Sequence, residues 1–230
     1  MANSMMIKVA TVAIASIVMV ASMFQSSRSM VEASAVAIPD PKLDAQLAAT
    51  KSERVAVFAG GCFWGVEAVF DHTKGVVKAE SGYAGGSADD AQYYTVASGR
   101  TGHAESVRVV YDPSKITYGK LLKVFFAVAH DPTELNRQGP DVGPQYRSAI
   151  FYANDEQKRI AESYIQQLNA AKIFSDKIAT QVAQLNAFYE AEGYHQNYLV
   201  NHPDEPYIVY NDMPKLVNLK KHLPELFKDK

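Results

Sequence analysis

Residues 54–71, RVAVFAGGCFWGVEAVFD, limit the possible fold more than any other stretch of the chain. A short valine-rich apolar run of strand length is broken by Gly60-Gly61. Helical spacing then begins at once, with Phe63, Val66 and Phe70 on one side and Glu67 elsewhere. A buried strand that turns through two glycines into a helix is a building unit of sheet-and-helix proteins. It leaves Cys62 at the helix start. Cys62 is the single cysteine, and Trp64 the single tryptophan, among 230 residues. One cysteine excludes an internal disulfide. At a helix N-terminus the first amide N–H groups lack intrahelical partners and the dipole end is positive. Both favour thiolate over thiol, so a lowered Cys62 pKa is expected. Phe63 and Trp64 bring apolar surface to the same place.

The rest of the chain continues the alternation. GVVKAESGYAGG, 75–86, reads as a strand running into a glycine-rich loop. In HAESVRVVYDP, 103–113, Val107, Val109 and Tyr111 alternate with Arg108 and Val110, a strand ended by Asp112-Pro113. TYGKLLKVFFAVAHD predicts an amphipathic helix with Leu121, Leu122, Phe125 and Phe126 inward. RSAIFYAND predicts a strand, and Asn154 with Gln157 forms a capping box opening a helix to about Ala170. IATQVAQL, 178–185, is a further strand, EGYHQNYLVNHP a short helix, and MPKLVNLKKHLPELF a C-terminal amphipathic helix with Pro214 at its start. Interleaved strands and helices predict an α/β (α+β) domain with a two-layer mixed-sheet core and surrounding helices.

Two segments stand apart from that domain. Residues 1–35 hold Lys8, an uncharged apolar run from Val9 to Phe24, and the small-residue sites Ala33-Ser34-Ala35 and Ala35-Val36-Ala37. This pattern predicts a cleaved secretory signal and an exported, periplasmic or secreted protein. The alternative is a retained membrane anchor, since the run is near the lower limit for a bilayer span. Residues 36–52 read as a polar linker, 53–212 as the catalytic domain and 213–230 as a helical tail. The net charge of −2 and the lack of a basic block argue against nucleic acid as a partner. His103, His130, His195 and His202 lack metal-ligand spacing, so no metal is expected.

Five stretches in order, GCFWGVEAVF, GYAGG, SGRTGHAE with VRVVYDP, NRQGPDVG with QYRSAI, and FYEAEGYHQNYL, resemble the A-type peptide-methionine sulfoxide reductases over about residues 54–200. The resemblance implies that family's ferredoxin-like fold. It also implies reduction of the S epimer of methionine sulfoxide, free or in proteins, with no metal or organic cofactor. By the same resemblance, Cys62 is the nucleophile and Glu105, in Gly-His-Ala-Glu, the proton donor. Phe63 and Trp64 form the pocket for the substrate's S-methyl group. Tyr93 and Tyr146 bind the sulfoxide oxygen, and Asp141 lines the site. Tyr94 competes with Tyr93, but the spacing to Ser98-Gly99 favours Tyr93. Many relatives carry a second, resolving cysteine near the C-terminus, and some have one where Ala97 stands; this chain has neither. An external thiol, such as a thioredoxin-like or glutaredoxin-like protein or a small thiol, is therefore the expected reductant, and a monomer the expected form.

The chemistry asks for those residue types. A sulfoxide sulfur is a poor electrophile until its oxygen is protonated or strongly hydrogen-bonded. The site therefore needs a soft nucleophile, an acid that is neutral near pH 7, and an apolar seat for the methyl group. Burial among Trp64, Tyr93 and Tyr146 would keep Glu105 protonated. Two other readings of the lone thiol stay open at this point. One is a cysteine hydrolase with His103 or His195 as base; the other is a non-catalytic binder of oxidised methionine.

Overall fold

The computed structural model describes residues 38–230. The segment read as a signal or anchor lies outside the described residues. In chain order the elements are β1 (Arg54–Gly60), α1 (Phe63–Asp71), β2 (Val76–Ala84), α2 (Tyr93–Ala97), β3 (Ala104–Tyr111) and α3 (Tyr118–Val124). They continue with β4 (Arg137–Gln138), β5 (Asp141–Val142), β6 (Ser148–Tyr152), α4 (Asp155–Ala170), β7 (Gln181–Gln184), β8 (Phe188–Glu190), α5 (Tyr198–Asn201) and α6 (Met213–His222). Six strands form one sheet in the order β7-β6-β1-β3-β2-β8. The β6–β7 pair is parallel and the other neighbours are antiparallel. This is the expected mixed sheet.

Strand alternation sorts β1 between two cores. Ala56 and Phe58 join the large cluster under the helices, whereas Val57 and Ala59 join a smaller one on the opposite face with Ala104, Ala149 and Phe151. Phe58 stacks on Phe70 and on Phe125, each at 5.1 Å between ring centres. The predicted inward face of the 118–129 region holds, with Leu121, Leu122, Phe125 and Phe126 all buried. The regular α-helix of that region ends at Val124, and Phe125–Ala129 continue as a wider π-helical turn. The Asn154 side chain accepts from the Gln157 amide at 2.9 Å, and Gln157 Oε1 accepts from the Ala153 amide at 2.8 Å, so α4 starts as its sequence predicts.

The structure departs from the sequence reading in several places. Every residue of α1 except Trp64 is buried, Glu67 included. A helix enclosed between the sheet and the C-terminal segment has no solvent face for periodicity to reveal. The strand β8 and the small β4–β5 hairpin were not visible as apolar runs, because both are too short. The region read as one short helix after Glu192 is broken into a 3₁₀ turn, Gly193–His195, and α5, with Asn197 left-handed at φ 54° between them. Residues 41–53 carry no helix or strand. The stretch read as a linker is nonetheless tied down. Ile38 is buried, Tyr164 Oη donates to the Pro39 carbonyl at 2.7 Å, and Asp44 accepts from the Gly119 amide at 2.7 Å.

Candidate active site

Cys62 is the N-cap residue of α1, directly after the turn that ends β1. The turn needs Gly61, whose φ is +88°; a Cβ there would also meet the Gln138 side chain at 2.5 Å. Glu105 sits on β3, the neighbour of β1 in the sheet, and is 2 % exposed. Its Oε2 accepts from the Phe63 amide at 3.1 Å, which fixes the carboxyl beside the first turn of α1. Burial pushes Glu105 up to about 8, helped by the Asp141 and Asp212 charges, while the Phe63 amide pulls the other way. Glu105 is therefore a neutral acid at pH 7, as the sequence reading requires.

The thiol itself behaves differently from expectation. Cys62 is pushed well above its ordinary value, first by burial and then by the Asp212 and Glu105 carboxylates; Lys215 and the Trp64 amide oppose this. The helix N-terminus acts in the expected direction but loses to desolvation. The resting group is a thiol, and the expected resting thiolate is corrected accordingly.

Tyr93 opens α2, and its amide donates to Glu192 Oε1 at 2.9 Å. Burial, Glu105 and Cys62 push its phenol up to about 12. Tyr146 lies in a 3₁₀ turn, Pro144–Tyr146; burial raises it too, with Glu105, Asp141, Tyr93 and Cys62 all within electrostatic reach. Both hydroxyls thus stay protonated donors. Tyr94 is 85 % exposed and points away from this cluster, which decides between the adjacent tyrosines. The two phenol-bearing turns are clamped together. Gln145 Nε2 donates to the Ala97 carbonyl at 3.1 Å, and Arg147 donates to the Gly102, His103 and Pro144 carbonyls. Asp141, on β5, accepts a short hydrogen bond from Tyr207 Oη.

Phe63 is fully buried and Trp64 half-buried, forming an apolar wall beside the sulfur. The indole is gripped from three sides. It stacks on Tyr198 at 3.7 Å and 8°, meets Tyr207 edge-on at 5.9 Å, and donates from Nε1 to His195 Nδ1 at 3.1 Å. That bond leaves the His195 proton on Nε2, and burial lowers the basicity of the ring. His103 is buried, with Nε2 against the Ser87 carbonyl at 2.8 Å. Neither histidine candidate for a hydrolase is placed as a base on Cys62. Among the described residues no group of three or more His, Cys, Asp or Glu side chains is arranged to hold a metal ion.

All seven side chains expected from the sequence thus converge on one site. A family model described as peptide methionine sulfoxide reductase matches residues 54–226. The chain belongs to the peptide methionine sulfoxide reductases. Within that family it is 59 % identical over 182 residues to peptide methionine sulfoxide reductase MsrA 2 of Mesorhizobium japonicum, covering 79 % of this chain and 93 % of the relative. It is 48 % identical over 193 residues to the MsrA 2 of Synechocystis, covering 83 % and 90 %. Among solved structures, the reduced form of Mxr1 from Saccharomyces cerevisiae superposes with a TM-score of 0.63 at 34 % identity, over 71 % of this chain and 92 % of that one. Methionine sulfoxide reductase A of Corynebacterium diphtheriae gives 0.58 at 36 % identity, over 76 % and 91 %.

The structure gives roles to Glu192 and Gln196, which sequence reasoning passed over, and to His195, which it weighed as a base. Glu192 bridges the Tyr93 amide and the Tyr83 hydroxyl, 2.8 Å away. Gln196 pairs with both backbone groups of Ser81, at 3.0 and 2.9 Å. His195 holds Trp64. All three lie in the motif EGYHQ, which was a signal of importance but not of role. Tyr207 packs against the core and also reaches Asp141 and Trp64.

Proposed function

We propose that this chain reduces the S epimer of methionine sulfoxide, free or in oxidised proteins, to methionine, with Cys62 as nucleophile and Glu105 as acid. The observation that carries the reading is the Glu105 carboxyl. It is buried, kept neutral near pH 7, and held by the Phe63 amide one residue from the only cysteine. Glu105 donates its proton to the sulfoxide oxygen as the Cys62 sulfur bonds to the substrate sulfur, and the Cys62 proton passes to Glu105; the hydroxyl then moves to the Cys62 sulfur as the sulfur–sulfur bond and the substrate S–O bond break, releasing the sulfide. Tyr93 and Tyr146 donate to the same oxygen as charge develops on it. The methyl group rests on Phe63 and Trp64, worth roughly 1–2 kcal/mol by apolar burial. Fixed and separate seats for oxygen and methyl select one epimer. In sum, the Cys62 thiol plus sulfoxide gives Cys62 sulfenic acid plus sulfide, with no atom left over.

Recovery needs two external thiol groups. The first attacks the sulfenic sulfur and releases water, leaving a mixed disulfide. The second frees the Cys62 thiol and carries off the disulfide. The absence of any other cysteine supports a thioredoxin-like, glutaredoxin-like or small-thiol donor. No organic cofactor or metal enters this scheme, and the reading needs only one chain, which is compatible with a monomer. Export is supported by Lys8, the Val9–Phe24 apolar run and the Ala-x-Ala sites, with a retained anchor as the alternative. Among the described residues no helix is long and apolar enough to cross a membrane. The test is reduction of the two separated sulfoxide epimers by the chain lacking residues 1–35. Thiol-dependent turnover of the S epimer alone is expected. Activity on both epimers equally, or turnover without thiol consumption, would sink the reading.

A further inference from the structure

The C-terminal segment brings two charges to the back of the nucleophile that no step above uses. Asp212 is fully buried, and its Oδ1 accepts from Lys215 Nζ at 3.0 Å. The Lys215 side chain is itself only 16 % exposed. The carboxylate is pressed onto the first turn of α1: a Cβ on Gly65 would stand 2.1 Å from Asp212 Oδ1. Gly65 follows Cys62 by three residues, close to one helical turn, so both lie on the same face. The bare Cα of Gly65 is what admits the pair beside the sulfur. Asp212 Oδ2 has no hydrogen-bond partner, an unfavourable state for a buried carboxylate unless a nearby cation compensates it.

We propose that Asp212 and Lys215 are the positioning pair that tunes the ionisation of Cys62: Lys215 is the cation facing the anionic sulfur during turnover, and Asp212 holds it and outweighs it at the resting sulfur. The proposal rests on Cys62 being the nucleophile. The charged groups facing the sulfur are Glu105 from β3 and Asp212 and Lys215 from the C-terminal segment. The phenols of Tyr93, Tyr146, Tyr198 and Tyr207 surround it. Lys215 also faces Asp141, and His130, which burial keeps neutral. Of these groups Lys215 alone is a cation. Burial works against the Lys215 charge, and Asp212, Cys62 and Asp141 together more than offset it, so the lysine is a cation here. Lys215 thus acts on the sulfur in the same direction as the helix N-terminus, and Asp212 acts against both, helping to keep the resting sulfur protonated.

Two partners of one ion pair should then act on Cys62 in opposite directions, which a merely structural pair does not do. The pH dependence of Cys62 alkylation by iodoacetamide in the full chain reads this directly. Asp212→Asn should move the midpoint down by about one pH unit, and Lys215→Met should move it up by a similar amount. Lys215→Arg should restore it. Should Lys215→Met fail to fold with Asp212 unpaired, the Asp212→Asn and Lys215→Met double variant should bring the midpoint back toward the native one from that of Asp212→Asn. Midpoints that shift in the same direction, or stay at the native value while thermal stability falls, would overturn the proposal. Cys62→Ser serves as the separate control. If that variant still reduces sulfoxide, the underlying reading fails whatever the alkylation midpoints show.

Discussion

At the residue scale the reaction depends on two protons being held where their groups would ordinarily release or keep them differently. Glu105 keeps its proton to about 8 because burial makes its charge unfavourable. Activity should therefore fall as pH rises through about 8, and a pH–rate profile checks it. Glu105→Gln should lower kcat by about a hundredfold or more while leaving Cys62 open to alkylation. The same group has a stability signature. Its folded-state pKa lies above its ordinary 4.5, so the folded state binds the proton more tightly. Its stabilising contribution is complete below pH 4.5 and is lost as pH rises through about 8. Denaturant titrations should show Glu105→Gln gaining stability relative to the native chain across that window. Cys62, Glu105, Tyr93 and Tyr146 were all legible from motif resemblance, because each lies in a distinctive local string. The ionisation of Cys62 was not. It depends first on burial and then on charges that include Asp212 and Lys215, which lie 150 or more positions away and look in sequence like an ordinary solvated helix start.

At the scale of elements, α1 is the part on which the site depends. It is buried except at Trp64, and the glycines of its entry turn and first turn are set by what they touch, Gln138 against Gly61 and Asp212 against Gly65. Gly65→Ala must displace a buried carboxylate, and overpacking of this kind typically destabilises by about 1–3 kcal/mol. Thermal unfolding of that variant should show a lowered Tm together with reduced activity, because the first turn carries Cys62. Phe58→Ala removes the ring on which Phe70 and Phe125 stack and should destabilise by about 3–5 kcal/mol in denaturant titration, with the site residues themselves untouched. The strands β1, β2, β3 and β6 and the helices α1, α3, α4 and α6 were readable because apolar periodicity extends over enough residues. By contrast β4, β5 and β8 have two or three residues each, and their existence is decided by neighbours already in the sheet. Glu67 shows the same limit in reverse. Its charge suggested a solvent side, yet Ser81 Oγ donates to it at 2.7 Å and the Asn197 amide at 2.9 Å, deep inside.

At the scale of the whole molecule, the sheet and α1 deliver the nucleophile and acid, and the chain after β8 closes the site around them. Trp64 is fixed by His195, Tyr198 and Tyr207, all from that later part, and Asp141 is bonded to Tyr207. The C-terminal segment holds no cysteine and contributes packing and charge instead, and under the proposed function a separate thiol recovers Cys62. The fold class and the order of the large elements followed from local pattern. The closing role of residues 192–215 did not, since every contact that defines it is long-range. The most direct measurement of the central claim is the intact mass of the chain after a single turnover of methionine S-sulfoxide with no thiol present. One equivalent of methionine should form, and peptide mapping should find Cys62 heavier by one oxygen atom. Methionine formed with Cys62 unmodified would contradict the account.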